Sequence, residues 1–454
     1  MPAKKILLLT SDPVGKIMAG PGLRCVNLAK SLQQVGYSVR IISTSAVQEI
    51  EGLDVRAIST RQRQQFRDEH NWADICIVQA LAFDEFPLLR RSPKLIISDA
   101  YAPVVLETFA RLNGIETRFA TRQRQNATRI LRQQLLFSDA LLCANKNQRS
   151  YYLGALSALA GMSAWATCPL ASQSDKVLVI PFGLDPEPPE HREKVLKGII
   201  PGIEEDSLVV LWSGGLYEWF DLETLIRGFA RVKQIAPHIK LFFQGGAHPN
   251  PSIPEMPAVR RTKDLADSLG LLGNTVFFSD KWVSLEDRES YLLEADIGIT
   301  THYDNLETTF SFRTRTLDYI WAELPIVTTE GDYFAEEVAQ KRLGAVVPFG
   351  DSEELATAIV ELLTNPISYM EAKGNLQVVR KEHFWQNATS PLVESLAAGS
   401  LTPATKRPST IRSRLIHEPY HTSRISNLFW RFRSVYDEHG LQGVISKIWS
   451  RFGF

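Results

Sequence analysis

Only four cysteines occur in these 454 residues, Cys25, Cys76, Cys143 and Cys168, and no two stand at the spacing of a metal clamp or a redox pair. Each lies in an apolar stretch, as a buried thiol does, which suits a reducing cytoplasm better than a disulfide framework. An excess of one charge is also lacking. The formal net charge of −1 argues against a whole-protein nucleic-acid binder and leaves any electrostatic partner to a local patch. No run is apolar for long enough to cross a bilayer, and the start "MPAKKILLLTSDP" has too short an apolar core for a signal peptide. It reads as a first strand.

What is present describes a globular α/β protein. The length exceeds what one core normally serves, and 44% hydrophobic with 22% charged residues is an ordinary globular composition. Short apolar runs, "KILLLT", "SVRIIS", "ICIVQ", "KLIISD", "DALLCAN" and "KVLVIPFGLD", alternate with segments of helical spacing. A second set, "SLVVLWSGG", "IKLFFQGG", "NTVFFSD", "DIGITTH", "LPIVTTEG" and "GAVVPFG", repeats the pattern, with helices such as Asp221 to Val232 and Ser352 to Leu363 between. Strands apolar throughout are buried on both faces, so two doubly wound, Rossmann-like parallel-sheet domains are predicted. The proline-rich "IPFGLDPEPPEHREK" marks the seam. The expected division is 1–183, 184–398 and a basic, aromatic tail, 399–454.

In such sheets ligands bind at the carboxyl ends of strands, where glycine turns let backbone N–H groups approach phosphate. Three turns qualify: Gly20 and Gly22 in "MAGPGLRC", Gly214 and Gly215 in "WSGGLYEWFDLETLIRGF", and Gly245 with Gly246 in "FFQGGAHP". The first serves equally as a tight helix start, and the third is better read as a strand-ending turn. Asp221 is placed to cap the helix after the second. None completes the dinucleotide fingerprint.

The order of these features, "GPGLR", "IPFGLD", "SGG" and the late "LDYIWAELPIVTT", resembles retaining glycosyltransferases of the GT-B fold, the large family four, over roughly residues 3 to 390. The resemblance implies two such domains facing a cleft, the acceptor on the N-terminal side and a nucleotide-diphosphate sugar on the C-terminal side. It implies no cofactor or metal beyond that donor substrate. It places Leu317 and Asp318 where relatives have a Leu-Glu pair whose carboxylate binds the ribose. Two departures accompany it. Phe310 stands where relatives carry a second glutamate near the transferred sugar, with Glu307 the nearest acid, and the arginine and lysine that relatives supply after "SGG" are missing.

Arg313 and Arg315 are the expected replacements, with Ser311, Phe312 and Thr314 lining the same loop. A breaking glycosidic bond develops charge on the leaving diphosphate, and guanidinium forks match its oxygens. Being two apart on a helix they do not share a face, and Arg313 is favoured for the contact, with Arg24 the first substitute should both be silent. The other reading pairs one of them with Glu307 or Asp304 at the surface. Asp99 is placed either to bind acceptor or donor sugar or to cap the helix after Pro103, while His302 at a strand end reads as structural. No aspartate-x-aspartate motif or ligand triad stands out, which favours metal-independent transfer.

From 401 to 454 nine Lys and Arg face three Asp and Glu, with Phe429, Trp430, Phe432, Tyr436, Trp449 and Phe452 among them. Such a segment suits either an anionic membrane surface, peripheral at the inner face, or a helical pair folded onto the body. The expected partners are a nucleotide sugar and a glycan or lipid-linked acceptor, with no nucleic acid. A sugar-nucleotide epimerase of the same fold, and a nucleotide-sugar binding protein without catalysis, remain open alternatives, the latter suggested by Phe310.

Overall fold

The computed structural model describes residues 4–16, 18–159, 174–245, 257–279, 283 and 287–403. Two parallel sheets organise the chain. The first holds β1 (Lys5–Thr10), β2 (Ser38–Ser43), β3 (Asp54–Ala57), β4 (Ile75–Gln79), β5 (Leu95–Asp99), β6 (Ala140–Cys143) and β7 (Val177–Val179), in the order β3-β2-β1-β4-β5-β6-β7. The second holds β8 (Leu208–Trp212), β9 (Ile239–Phe243), β10 (Val276–Phe278), β11 (Ile297–Thr300), β12 (Ile326–Thr329) and β13 (Gly344–Val347), in the order β10-β9-β8-β11-β12-β13.

Every residue of β5, β6, β11 and β12 is buried, as expected of strands covered by helices on both faces. One strand escaped the sequence reading. β3, "DVRA", is a half-exposed edge strand with no apolar run to betray it. It is held by charge, since Arg56 and Arg40 both pair with Asp54 and Glu69.

The halves are joined twice, and the two crossings bond to each other. Leu184 N–H donates to His383 O at 2.7 Å and Trp385 N–H to Leu184 O at 3.1 Å. This explains the glycine of "IPFGLD": a Cβ on Gly183 would lie 2.5 Å from Trp385 Cα, where no side chain fits. The chain then returns to the first half. On the helix Trp385–Ala397, Leu392 and Leu396, followed by Leu401, complete the core formed by Ile6, Leu28 and Ile41.

Arg24 ties the same region from below. It is fully buried, its Nε 2.8 Å from Asp99 Oδ1, its Nη2 donating to Ile180 O and Nη1 to Pro181 O. Removing one partner from such a buried pair costs about 3–5 kcal/mol. Asp99 is therefore neither the cap of the following helix nor a free cleft carboxylate. Arg24 and the Gln79 amide occupy its oxygens, and the helix Val104–Arg111 begins at Pro103 without a side-chain cap.

Candidate active site

The carboxyl ends of both sheets look into one interface. After β6, Asn145 caps the helix Lys146–Ala158, and its side chain donates 2.7 Å to Ser311 O in the other half. Gln148 Nε2 lies between Tyr101 O at 2.8 Å and Phe310 O at 2.9 Å. The Asn-x-x-Gln spacing at a helix start was a legible capping signal, although its role in joining the halves was not.

Opposite stands the turn after β8. Asp221 Oδ1 accepts from Thr224 N–H at 3.0 Å and starts the helix Leu222–Ile235, as its position suggested. Between strand and helix, Gly214 has φ +80°, which glycine adopts without strain. Tyr319 fixes the turn from behind: its hydroxyl accepts Ser213 N–H at 3.0 Å and lies 2.9 Å from the carbonyls of Leu211 and Ile299. The ring needs Gly298 beneath it, where a Cβ would come within 2.4 Å.

Arg315 completes the support. Its Nε donates to Ser213 O, its Nη2 to Gly215 O at 2.7 Å, and its guanidinium lies 3.9 Å above Trp212 and 4.4 Å from Phe220. Burial lowers its pKa to about 10, which still leaves it charged at neutral pH. In a trans peptide the N–H points opposite to its C=O. Holding the carbonyls of Ser213 and Gly215 on the arginine side therefore turns the N–H groups of Gly214 and Leu216 away from it. Neither N–H has a partner among the described residues. With a guanidinium behind and the unpaired amide of the exposed Gly214 in front, the turn presents a side suited to an anion.

The two arginines thus part company. Arg313, favoured from sequence for the anion, forks onto Glu307 at 2.8 and 2.7 Å, with both groups buried. The predicted pairing with Glu307 occurs, but in the interior rather than at the surface. Glu307 is correspondingly spent as a free catalytic acid. Arg313 Nε and Asp332 Oδ2, 4.0 Å apart, are both buried without a hydrogen bond. Burial raises the Asp332 carboxyl to about 6, with Arg313 pulling the other way.

The remaining predicted residues separate into lining and scaffold. Asp318 borders the turn: its Oδ2 takes Ser213 Oγ at 3.4 Å and Arg288 Nη1 at 3.1 Å, while Oδ1 has no partner among the described residues. Burial raises its pKa, opposed by Arg288. Thr314 opens the helix Thr314–Trp321 and is exposed. Leu317 is core and cannot touch a ligand with its side chain. Ser311 is buried, its Oγ donating to Thr308 O, and Phe312 packs on Phe182 and Phe334.

Gly20 and Gly22 start the helix Gly20–Gln34, where the neighbours are protein: a Cβ on Gly22 would sit 2.5 Å from Pro13 O. Gly245 approaches the second turn so closely that its Cβ would be 2.2 Å from Gly214 O; Gly246, Cys168 and the basic tail from 404 lie outside the described residues. His302 is fully buried between Thr300 and Thr329 hydroxyls at 3.0 and 2.9 Å, with its pKa pushed well down by burial. Its structural reading stands.

Residues 207–365, which carry this turn and the two arginines, match the family model described as "Glycosyl transferases group 1". The chain carries a group 1 glycosyl transferase domain. Among solved structures, sucrose-phosphate synthase from Thermosynechococcus elongatus aligns with TM-score 0.63 at 15% identity, covering 87% of this chain and 100% of that one. Anabaena HepE in complex with UDP-glucose aligns with TM-score 0.61 at 15% identity over 87% of this chain and 99% of that one. WaaG, a glycosyltransferase involved in lipopolysaccharide biosynthesis, gives 0.59 at 16% over 86% and 98%. The two-domain arrangement is thus the GT-B fold, and the matched residues form its C-terminal sheet with the glycine turn at the end of β8. No curated protein matches the sequence. Among the described residues no helix is long and apolar enough to cross a membrane.

Proposed function

We propose that this group 1 glycosyltransferase takes a sugar from a nucleotide-diphosphate sugar and transfers it, with retention and without a metal, to a glycan or lipid-linked acceptor held against the N-terminal half. The observation that carries the reading is the turn after β8. The N–H of the exposed Gly214 faces a diphosphate, Arg315 fixes the turn from behind, and the open Oδ1 of Asp318 accepts ribose hydroxyls beside it. HepE, of the same fold, was solved with UDP-glucose. In this reading the leaving diphosphate is stabilised by amides that need no rearrangement as charge develops. The acceptor attacks from the face the leaving group vacates, and a phosphate oxygen takes its proton.

The reading extends to cell-surface polysaccharide or glycolipid assembly at the cytoplasmic face of the membrane; the tail supports the membrane part, since its nine basic against three acidic residues and interspersed aromatics suit an anionic surface. Loss of liposome sedimentation on truncation after Leu401 is the expected result, and equal binding by both forms would remove the membrane from the reading.

The donor assignment is tested by calorimetry with UDP-, GDP-, ADP- and dTDP-sugars. Asp318→Asn makes one acceptor oxygen a donor and should weaken the preferred nucleotide by about 1–3 kcal/mol. Unchanged affinity would place the ribose elsewhere.

A further inference from the structure

Just after β9 the chain buries an amide that nothing in the fold satisfies. Gln244 is 3% exposed, and neither its Oε1 nor its Nε2 has a hydrogen-bond partner among the described residues. A primary carboxamide donates through its NH2 and accepts through its oxygen, and burying it unpaired costs free energy that an apolar side chain of similar size does not. A polar group held at that cost points to a partner supplied from outside the fold.

Strand register gives the direction in which the amide projects. Along β9, Ile239, Leu241 and Phe243 enter the core around Trp212, whereas Phe242 enters the core around Tyr319, the alternation expected of a strand. Gln244 N–H still donates to Trp212 O at 3.0 Å, so the alternation extends one residue and sends the Gln244 side chain to the Phe242 face. Trp212 pairs with Phe243, which sets Ser213 beside Gln244. On that same face Ser213 Oγ donates to Asp318 Oδ2. The helix Arg288–Glu294 covers it: Tyr291 stacks on Phe242 with ring centroids 5.6 Å apart, and Arg288, a turn earlier, reaches Asp318. Arg288 Nε is likewise buried without a partner among the described residues. One end of one sheet face therefore gathers an idle carboxamide, an idle guanidinium N–H and the open Oδ1 of Asp318. The glycine turn adjoins them, since a Cβ on Gly245 would lie 2.2 Å from Gly214 O.

We propose that Gln244 reads the nucleobase of the donor, its carboxamide pairing with a base edge that sets one donor and one acceptor side by side. The inference rests on the proposed donor site. Uracil and guanine offer such an edge as a carbonyl beside a ring N–H, cytosine and adenine as an amino group beside a ring nitrogen, and a carboxamide meets either with two hydrogen bonds. A diphosphate offers acceptors only. The base also belongs at this place, because it hangs from the ribose carbon next to the 2′-hydroxyl assigned to Asp318. A buried amide is held in one orientation, so it accepts one kind of edge and leaves unpaired groups against the other.

The experiment titrates the full chain, Gln244→Leu and Gln244→Met with UDP against CDP and GDP against ADP, pairs of equal ring size and opposite edges, by calorimetry. The parent should prefer one member of the pair whose size fits by about tenfold or more, as expected for hydrogen bonds made to one and missing to the other. Gln244→Leu should lose that preference by weakening the preferred nucleotide. Without nucleotide, its thermal unfolding should match or exceed the parent's, because no bond within the fold is lost. Gln244→Met, unbranched, serves the same test where leucine does not fit. Both variants unfolding well below the parent would overturn the premise that the amide is idle. A parent that binds both members of each pair alike, or a variant that keeps the parent's preference, would overturn the assignment and leave the donor site standing. A parent that binds no nucleotide sinks the donor site with it.

Discussion

Each half of the chain begins a helix with a glycine turn at a strand end, yet the two turns are used in opposite ways. In "GPGLR" the space a side chain on Gly22 would occupy is already filled by Pro13 O, and Gly20 lies in ordinary contact with Tyr101 and Phe182. In "SGGLY" the backbone carbonyls are held from behind by Arg315, and the amides are left unpaired in front. A pair of glycines ahead of a helix is the signal in both. What separates a packing turn from a binding turn is which side of the peptide the protein has claimed.

The comparison is broken most severely by removing the support of the second turn. Arg315→Ala removes the donor to Ser213 O and the shorter of the two donors to Gly215 O, which keeps only the Trp212 Nε1 contact at 3.4 Å, and lets the peptides rotate, so steady-state release of nucleoside diphosphate should fall about a hundredfold or more. Lysine should restore only part, because a point charge cannot hold two carbonyls in one plane. Turnover like the parent's in Arg315→Ala would mean that the turn needs no backing. Arg313→Ala, by contrast, should act mainly on stability, since its loss leaves Glu307 buried and unpaired.

The glycines sharpen the contrast. Gly214→Ala places an alanine at φ +80°, with a strain of about 1–3 kcal/mol, and should weaken nucleotide binding. Gly20→Ala meets nothing closer than Tyr101 Oη at 3.5 Å and should bind nucleotide as the parent does. Matched thermal unfolding and titration of the two variants would undo the distinction if their binding changed alike.

The smallest expected effect is a pH dependence. Asp332, whose carboxyl is raised to about 6, contributes stability that is fully present below the ordinary aspartate pKa and is lost as pH rises through 6. Asp332→Asn keeps the cap on the helix Tyr333–Lys341, where Oδ1 accepts Ala335 N–H at 2.7 Å. Its urea midpoint should fall less than the parent's between pH 5 and 7. Identical pH profiles would show that the carboxylate finds compensation in Arg313 and His302.

These contrasts also mark what was readable beforehand. The apolar strands stood out because strands covered on both faces are built almost wholly of apolar residues, and only β3, an edge strand held by Arg40 and Arg56, was hidden. Asp221 was legible as a cap because its partner lies three residues away. Arg315 was legible as a cation near the turn, but not as its support, because the carbonyls it holds are about a hundred residues distant in the chain. Asp99 misled for the same reason: nothing near it in sequence shows that Arg24 has already taken its charge.

The return of the helix Trp385–Ala397 to the first sheet has a consequence for synthesis on the ribosome. Leu392, Leu396 and Leu401 fill a core whose other members were translated hundreds of residues earlier, so the N-terminal domain waits with an open apolar face until the C-terminal domain has emerged. The domain made first is thereby the domain finished last, and a nascent chain halted at the seam between the halves is exposed to aggregation over that waiting time.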